Sequence, residues 1–168
     1  HQMNLFFKEV LGDSKPTLPL SLEANITKAN AARIDWNQIC PIKENKKVLI
    51  FGNPPYLTYG KRNEDQKEDM KLVFGSSSKL DYISIWFVKA SNYIVGKNSK
   101  FAFVSTNSIN QGEQVPMLWK DIFSLNLEIT FCHKSFKWSN VAKNKAGVTC
   151  SIIGVSNRNN FDKKIYED

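Results

Sequence analysis

Short apolar runs alternating with helix-patterned stretches constrain this chain more than any other feature. "KKVLIFG" (46–52), "KFAFVST" (100–106), "NLEITFCH" (126–133) and "GVTCSIIGVS" (147–156) have the length and composition of strands. In "SSKLDYISIWFVKASNYIVGK", Leu80, Ile83, Phe87, Ala90 and Ile94 recur at three and four, so they share one helix face, which Tyr82, Trp86 and Tyr93 widen. An aromatic stripe at that spacing is packing material. Ser78 and Asp81 stand three apart as a capping box, and Gly96 ends the helix with Lys97 and Lys100 near its negative end. "EQVPMLWKDIFSL" (113–125) reads as a second helix, with Pro116 tolerable only in its first turn. Strand, helix, strand, helix, strand predicts an α/β sheet. The last two runs have only a loop between them and are expected to pair antiparallel. "KKVLIFG", with charge before it and glycine at its end, is expected to be buried on both faces of a parallel sheet.

The other segments are less patterned. Residues 1–24 read as a short helix, "QMNLFFKEVLG", and a loop carrying Pro16 and Pro19. "ANITKANAARIDW" (24–36) opens with a short candidate strand. Residues 57–78, "LTYGKRNEDQKEDMKLVFGSSS", are polar and charged. They are expected to be a mobile insertion with a helical turn or more around Glu64 to Phe74, either a lid or a solvated surface loop. The tail, 157–168, is polar and expected to be loose. Residues 25–156 therefore form the expected working domain.

Bulk properties narrow the class. The 168 residues amount to about one domain, and 42% apolar content supports a core. No stretch has the length of a membrane span, and the N-terminus lacks the layout of a signal peptide. The expectation is a cytoplasmic protein. Cys40, Cys132 and Cys150 are far apart and form no CxxC pair, so they are expected to be reduced thiols, with no metal site. The net charge of +7 suits a polyanion such as nucleic acid. Of the 23 cations only Arg33, Arg62 and Arg158 are arginines. Lysine serves phosphates as a point charge, whereas arginine reads guanine edges, so the basicity points to backbone affinity rather than sequence reading.

The chemistry concentrates in "GNPPY" (52–56). In an open α/β sheet, ligands bind beyond the carboxyl ends of the strands, and "VLIFG" delivers Asn53 to that edge. Pro54 and Pro55 fix two φ angles and offer no N–H. The stretch thus presents acceptors, the Asn53 side-chain oxygen and the Pro54 carbonyl, with Tyr56 as a flat face beside them. Such a set suits a planar ring bearing an NH2 group, as adenine does. The amino lone pair is delocalised and poorly nucleophilic. Accepting both N–H bonds draws the amine toward tetrahedral geometry and aims its lone pair. Positioning and fixed dipoles do this without a shifted pKa. A base inside a duplex must first be flipped out.

"GNPPY" after an apolar strand resembles the catalytic motif of N6-adenine DNA methyltransferases. Taken with "LDYISIWFVKA", "FAFVSTNSINQGEQVPMLW" and "ITFCHKSFKWSNVAKNKAGVTCSIIGV", it resembles the methyltransferase region of fused restriction–modification enzymes of the type IIG kind over most of residues 25–156. The resemblance implies a partial Rossmann-like, class I S-adenosylmethionine-dependent methyltransferase fold, mostly parallel with a final antiparallel strand. It implies double-stranded DNA as partner and a bacterial or archaeal host. It also implies roles: Asn53, Pro54 and Pro55 at the target amine, Tyr56 stacked on the base, and Phe136 or Trp138 on the base's opposite face. Asn30, with Asp35 second, would contact the adenine of S-adenosylmethionine, or Asn30 would merely turn its loop. Asn107, Ser108 and Gln111 would line the cleft or satisfy nearby backbone. Protein glutamine methyltransferases carry the same four letters, so a protein or RNA acceptor is the rival enzyme reading. A non-catalytic nucleic-acid-binding fragment is the rival of another class.

The chain departs from that family in one respect. None of its eight glycines forms a GxG, so the family's glycine-rich cofactor loop is missing. The expectation is a piece of a longer protein, without its N-terminal cofactor-loop segment and C-terminal target-recognition domain. Alone it is expected to bind little S-adenosylmethionine and not to turn over.

Overall fold

The computed structural model describes residues 26–75, 78–138, 148–159 and 162–167. The expected helix at 2–12 lies outside them. The elements run α1 (Trp36–Ile39), β1 (Leu49–Gly52), a 3-10 turn (Tyr59–Lys61), α2 (Glu64–Phe74), α3 (Ser84–Ile94), β2 (Lys100–Thr106), a second 3-10 turn (Asn107–Asn110), α4 (Gln114–Ser124), β3 (Leu127–Trp138), β4 (Val148–Asn157) and β5 (Lys164–Tyr166).

The five strands form one sheet in the order β1-β2-β4-β3-β5. β1 is parallel to β2 and β3 to β5, while β4 is antiparallel to both β2 and β3. Four strands therefore point one way and β4 alone runs against them, which is the mixed α/β sheet expected. The predicted antiparallel pairing of β3 with β4 is present, and β4 also wedges between β3 and β2.

The face covered by α3 and α4 holds the core. β2 alternates strictly, with Phe101, Phe103 and Ser105 buried. Phe87 of α3 sets its ring edge-on to Phe101, Phe103 and Trp119 of α4, with centroids 5.8, 5.4 and 5.6 Å away. The predicted apolar face of the helix thus becomes the packing face: Leu80, Ile83, Phe87, Ala90 and Ile94 are all buried. Pro116 sits in the first turn of α4, where its missing N–H has no intrahelical partner to lose.

Several expectations are corrected. α3 starts at Ser84 and not at Ser78. No capping box forms, because the Ser78 hydroxyl accepts from the Leu80 amide while Asp81 turns away to accept from Ser108. The described part of "NITKAN", residues 26–30, forms no strand. β1 is not buried on both faces: Leu49 and Phe51 are 59% and 82% exposed. It pairs only with β2 and stands at the edge of the sheet, where Leu49 and Phe51 line an open groove with Ala102, Phe131 and Tyr166. The tail yields a three-residue strand, β5, too short to carry a pattern in the sequence. The charged 57–75 stretch is packed in part, since Arg62, Asp69 and Met70 are buried. Its expected helix is α2, opened by an Asn63–Gln66 capping box and closed by Gly75 at φ 72°, a left-handed turn that glycine adopts without strain.

β3 carries two bulges, between Ile129 and Phe131 and between His133 and Phe136. At the first, Phe131 lies directly across from Gly154. A Cβ on Gly154 would overlap the Phe131 ring, which occupies the space a side chain would need. Gly154→Ala is expected to lower stability by about 1–3 kcal/mol, the usual range for overpacking. A urea titration that leaves the midpoint unchanged would refute this.

Candidate active site

β1, β2 and β3 run in one direction, so their carboxyl ends share an edge of the sheet, and β4 begins there. β1 ends at Gly52 and hands the chain to Asn53. Pro54 is buried while Asn53 and Pro55 are exposed. The motif is therefore anchored by one proline and presents its amide outward. Tyr56 folds back over the sheet, where its hydroxyl donates to Asn53 Oδ1 and lies 3.9 Å from Cys150 Sγ.

The register of the strands brings in the second aromatic. Thr106, Cys150 and Phe136 are direct partners across β2, β4 and β3. Residues directly opposite in a sheet project to one face, so Phe136 shares the face on which Cys150 meets Tyr56. The bulge decides this. From His133 to Phe136 β3 advances three residues while β4 advances two, from Ile152 to Cys150. Without the extra residue, Ser135 would stand opposite Cys150 and Phe136 would point to the other face. The Phe136 ring is half-buried and edge-on to His133 at 5.5 Å. Tyr56 and Phe136 thus both neighbour Cys150, one through its hydroxyl and the other across the β3–β4 ladder. Trp138 ends β3 opposite Val148, and its side chain lies outside the described residues.

The groups here are neutral. Burial, then Cys150, pushes the Tyr56 phenol far above its ordinary value. Burial also raises the Cys150 and Cys132 thiols, so neither is a thiolate at neutral pH. Asn53 is thus met by a neutral phenol and, behind it, a neutral thiol.

The three residues expected in the cleft divide. Asn107 and Gln111 line a polar pocket of about 500 Å³ with Asn110, Lys134, Ser135 and Ser151. Asn107 Nδ2 donates to Ser135 Oγ, and Asn110 Nδ2 donates to Ser151 Oγ at 3.1 Å. Ser108 turns inward to Asp81, whose own amide donates to Gln114 Oε1 at 3.1 Å.

Asn30 and Asp35 both have local partners. Asn30 Oδ1 accepts from the Ala32 amide at 2.9 Å, and its Nδ2 donates to Asp69 at 3.2 Å. Asp35 caps α1 through the Asn37 amide at 2.9 Å. An apolar pocket of about 270 Å³ lies beside them, lined by Ala31, Ile34, Trp36, Val48, Ile50 and Tyr93 among others, and neither residue reaches it. Asp35 instead lines a neighbouring pocket of about 280 Å³ with Asn37, Lys89 and Asn92.

Sequence reasoning misses the buried carboxylate Asp69, 2% exposed, and gives Asp81, 4% exposed, a capping role that it does not have. Asp69 accepts from Asn30, Arg33 and Tyr82. Burial alone would raise its pKa, but bonds from Tyr82, Arg33 and Asn30 together outweigh it and hold the carboxyl below its ordinary value. An acid in a charged stretch looks solvated, so no signal in the sequence marks it. Cys150 is likewise legible only as a core thiol.

Asn-Pro-Pro-Tyr thus stands at the carboxyl edge of a mixed α/β sheet. The chain belongs to the family described as "MmeI, DNA-methyltransferase domain", which matches residues 1–167. It is 48% identical over 158 residues to DNA methyltransferase A of Bacillus subtilis (strain 168), a match covering 92% of this chain and 18% of that protein. It is also similar to the solved type IIL restriction-modification enzyme MmeI in complex with DNA, with a TM-score of 0.83 and 42% identity over 100% of this chain and 23% of that one. The expected kinship with fused restriction–modification methyltransferases holds, the solved relative being of type IIL rather than IIG. The chain spans less than a quarter of the length of either relative.

Proposed function

We propose that residues 25–156 are the catalytic half of a DNA adenine N6-methyltransferase within a restriction–modification protein. The observation that carries this reading is Asn53 presented at the sheet edge between a buried proline and Tyr56, with Phe136 on the same face. In the intact protein the reaction takes its methyl group from S-adenosylmethionine, held chiefly by parent residues outside those described. The chain acts on the acceptor. Asn53 Oδ1 and the Pro54 carbonyl take the two N–H bonds of the adenine amine and aim its lone pair, with Tyr56 on one face of the flipped base and Phe136 on the other. Asn107, Gln111 and the lysine-rich surface support the displaced strand and its phosphates. Among the described residues no helix is long and apolar enough to cross a membrane. A DNA-modifying enzyme works where the DNA is, so the proposed setting is the bacterial or archaeal cytoplasm.

The test uses the intact parent gene in a host free of adenine methylation, with the host DNA sequenced by a single-molecule method. 6-Methyladenine at one short sequence is the expected result. Unmodified DNA from a well-expressed product overturns the reading in favour of a protein, RNA or purely binding role. The isolated 168 residues are expected to be inactive.

Tyr56 gives a sharper prediction. Its hydroxyl donates to the Asn53 oxygen that the amine needs and so competes with the incoming base for that acceptor. Tyr56→Phe removes that competition and retains the ring, and it is expected to keep most of the activity. Tyr56→Ala loses the stacking face, worth about 1–3 kcal/mol per base, or roughly 5- to 160-fold. Equal losses in both variants, read as initial methylation rates, would assign the work to the hydroxyl.

A further inference from the structure

The polar cluster around Asp69 has no part in the reaction as described. Asp69 sits on α2, 2% exposed, and its carboxylate gathers donors from two other segments. Asn30 Nδ2 and Arg33 Nε reach it at 3.2 and 2.5 Å from the stretch that leads toward β1. Tyr82 Oη reaches it at 2.6 Å from the approach to α3. The Tyr82 amide in turn donates to the carbonyl of Leu57 at 2.8 Å, and Leu57 is the residue directly after Tyr56. One carboxylate therefore joins the 30–33 stretch to Tyr82, whose amide holds the residue directly after the motif.

Among the described residues of the cluster, only Asp69 touches both sides. A buried carboxylate stripped of these donors would carry an uncompensated charge, so the three bonds hold together or fail together. Arg33 is partly exposed and its other acidic neighbour, Asp65, lies at 4.0 Å on the surface, where a charge pair contributes little. The strong contacts are the inward ones.

We propose that Asp69 is a positioning residue that acts through Tyr82 and Leu57 to hold the Asn53–Tyr56 motif in register with the target base. The inference rests on the reading of that motif as the site of amine capture. The 57–75 stretch then serves as a brace for the catalytic loop. A mutation that shifts reacting groups by about 1 Å can cost on the order of 10²-fold in rate without touching substrate.

The experiment uses the intact parent protein with Asp69→Asn and, as the milder cut of the same link, Tyr82→Phe. Amide hydrogen exchange over residues 53–58 and at Tyr82 is followed beside exchange in β2 and β4. Both variants are expected to speed exchange at the motif and at Tyr82 while β2 and β4 stay protected. Methylation is read in parallel, with kcat expected to fall about 10- to 100-fold and KM for DNA to hold. Unchanged exchange at the motif in Tyr82→Phe, or exchange raised equally throughout the sheet in both variants, overturns the proposal and leaves Asp69 an ordinary structural residue. The exchange reading needs no turnover. If the parent protein proves not to methylate adenine, altered exchange at the motif still upholds the brace, while the functional reading alone fails.

Discussion

Asn53→Ala in the intact parent protein is expected to lower kcat for adenine methylation by about 10²–10³-fold, the usual loss for one preorganised hydrogen-bonding group in an active site. The Tyr56, Cys132 and Cys150 side chains are all held neutral, so none substitutes as a base, and the Pro54 carbonyl accepts only one of the two N–H bonds. DNA affinity is expected to hardly change, because phosphate contacts supply most of the affinity of proteins for DNA. Asn53→Asp retains an oxygen at the same place and is expected to recover part of the rate. The measurement is methyl incorporation into a duplex under saturating substrate, with DNA binding followed separately by anisotropy. An Asn53→Ala protein that binds DNA and methylates at the parent rate would remove the motif from the mechanism.

Phe87→Ala is expected to be the most destabilising single change in the core, by about 3–5 kcal/mol. That is a large share of the roughly 5–15 kcal/mol that keeps an ordinary domain folded. Phe87 is fully buried, and its ring is edge-on to three others, Phe101, Phe103 and Trp119. These four rings join α3, β2 and α4, so the cavity would open where three elements meet and none could collapse into it alone. The chain's tryptophans report unfolding, and the shift of the urea midpoint by fluorescence gives the size of the effect. A loss under about 1 kcal/mol would mean that the site relaxes as readily as a surface position.

Much of this protein is readable without its structure because its signals are local. Phe87 can be assigned to the core from the spacing of Leu80, Ile83, Ala90 and Ile94, since helix periodicity is a property of neighbours in sequence. Pro116 can be placed in a first turn for a similar reason: its chemistry permits little else. Asn53 stands out because two prolines remove donors and leave acceptors, whatever the rest of the chain does. Equally local grounds mislead at Ser78 and Asp81. Distant groups claim the carboxylate first, with Asp81 drawn to Ser108 across the fold.

What the sequence by itself determined is therefore the class of sheet, the packing faces of its helices and the acceptor motif at the end of β1, all set by residues within a few positions of one another. Only the tertiary structure decided which face Phe136 joins, that Cys150 meets Tyr56, and that Asp69 joins Asn30 and Arg33 to Tyr82. The physical reason is range. One extra residue in β3 reverses the facing of every side chain beyond it, and whether a carboxylate is solvated or buried depends on segments up to 39 residues away, as between Asn30 and Asp69.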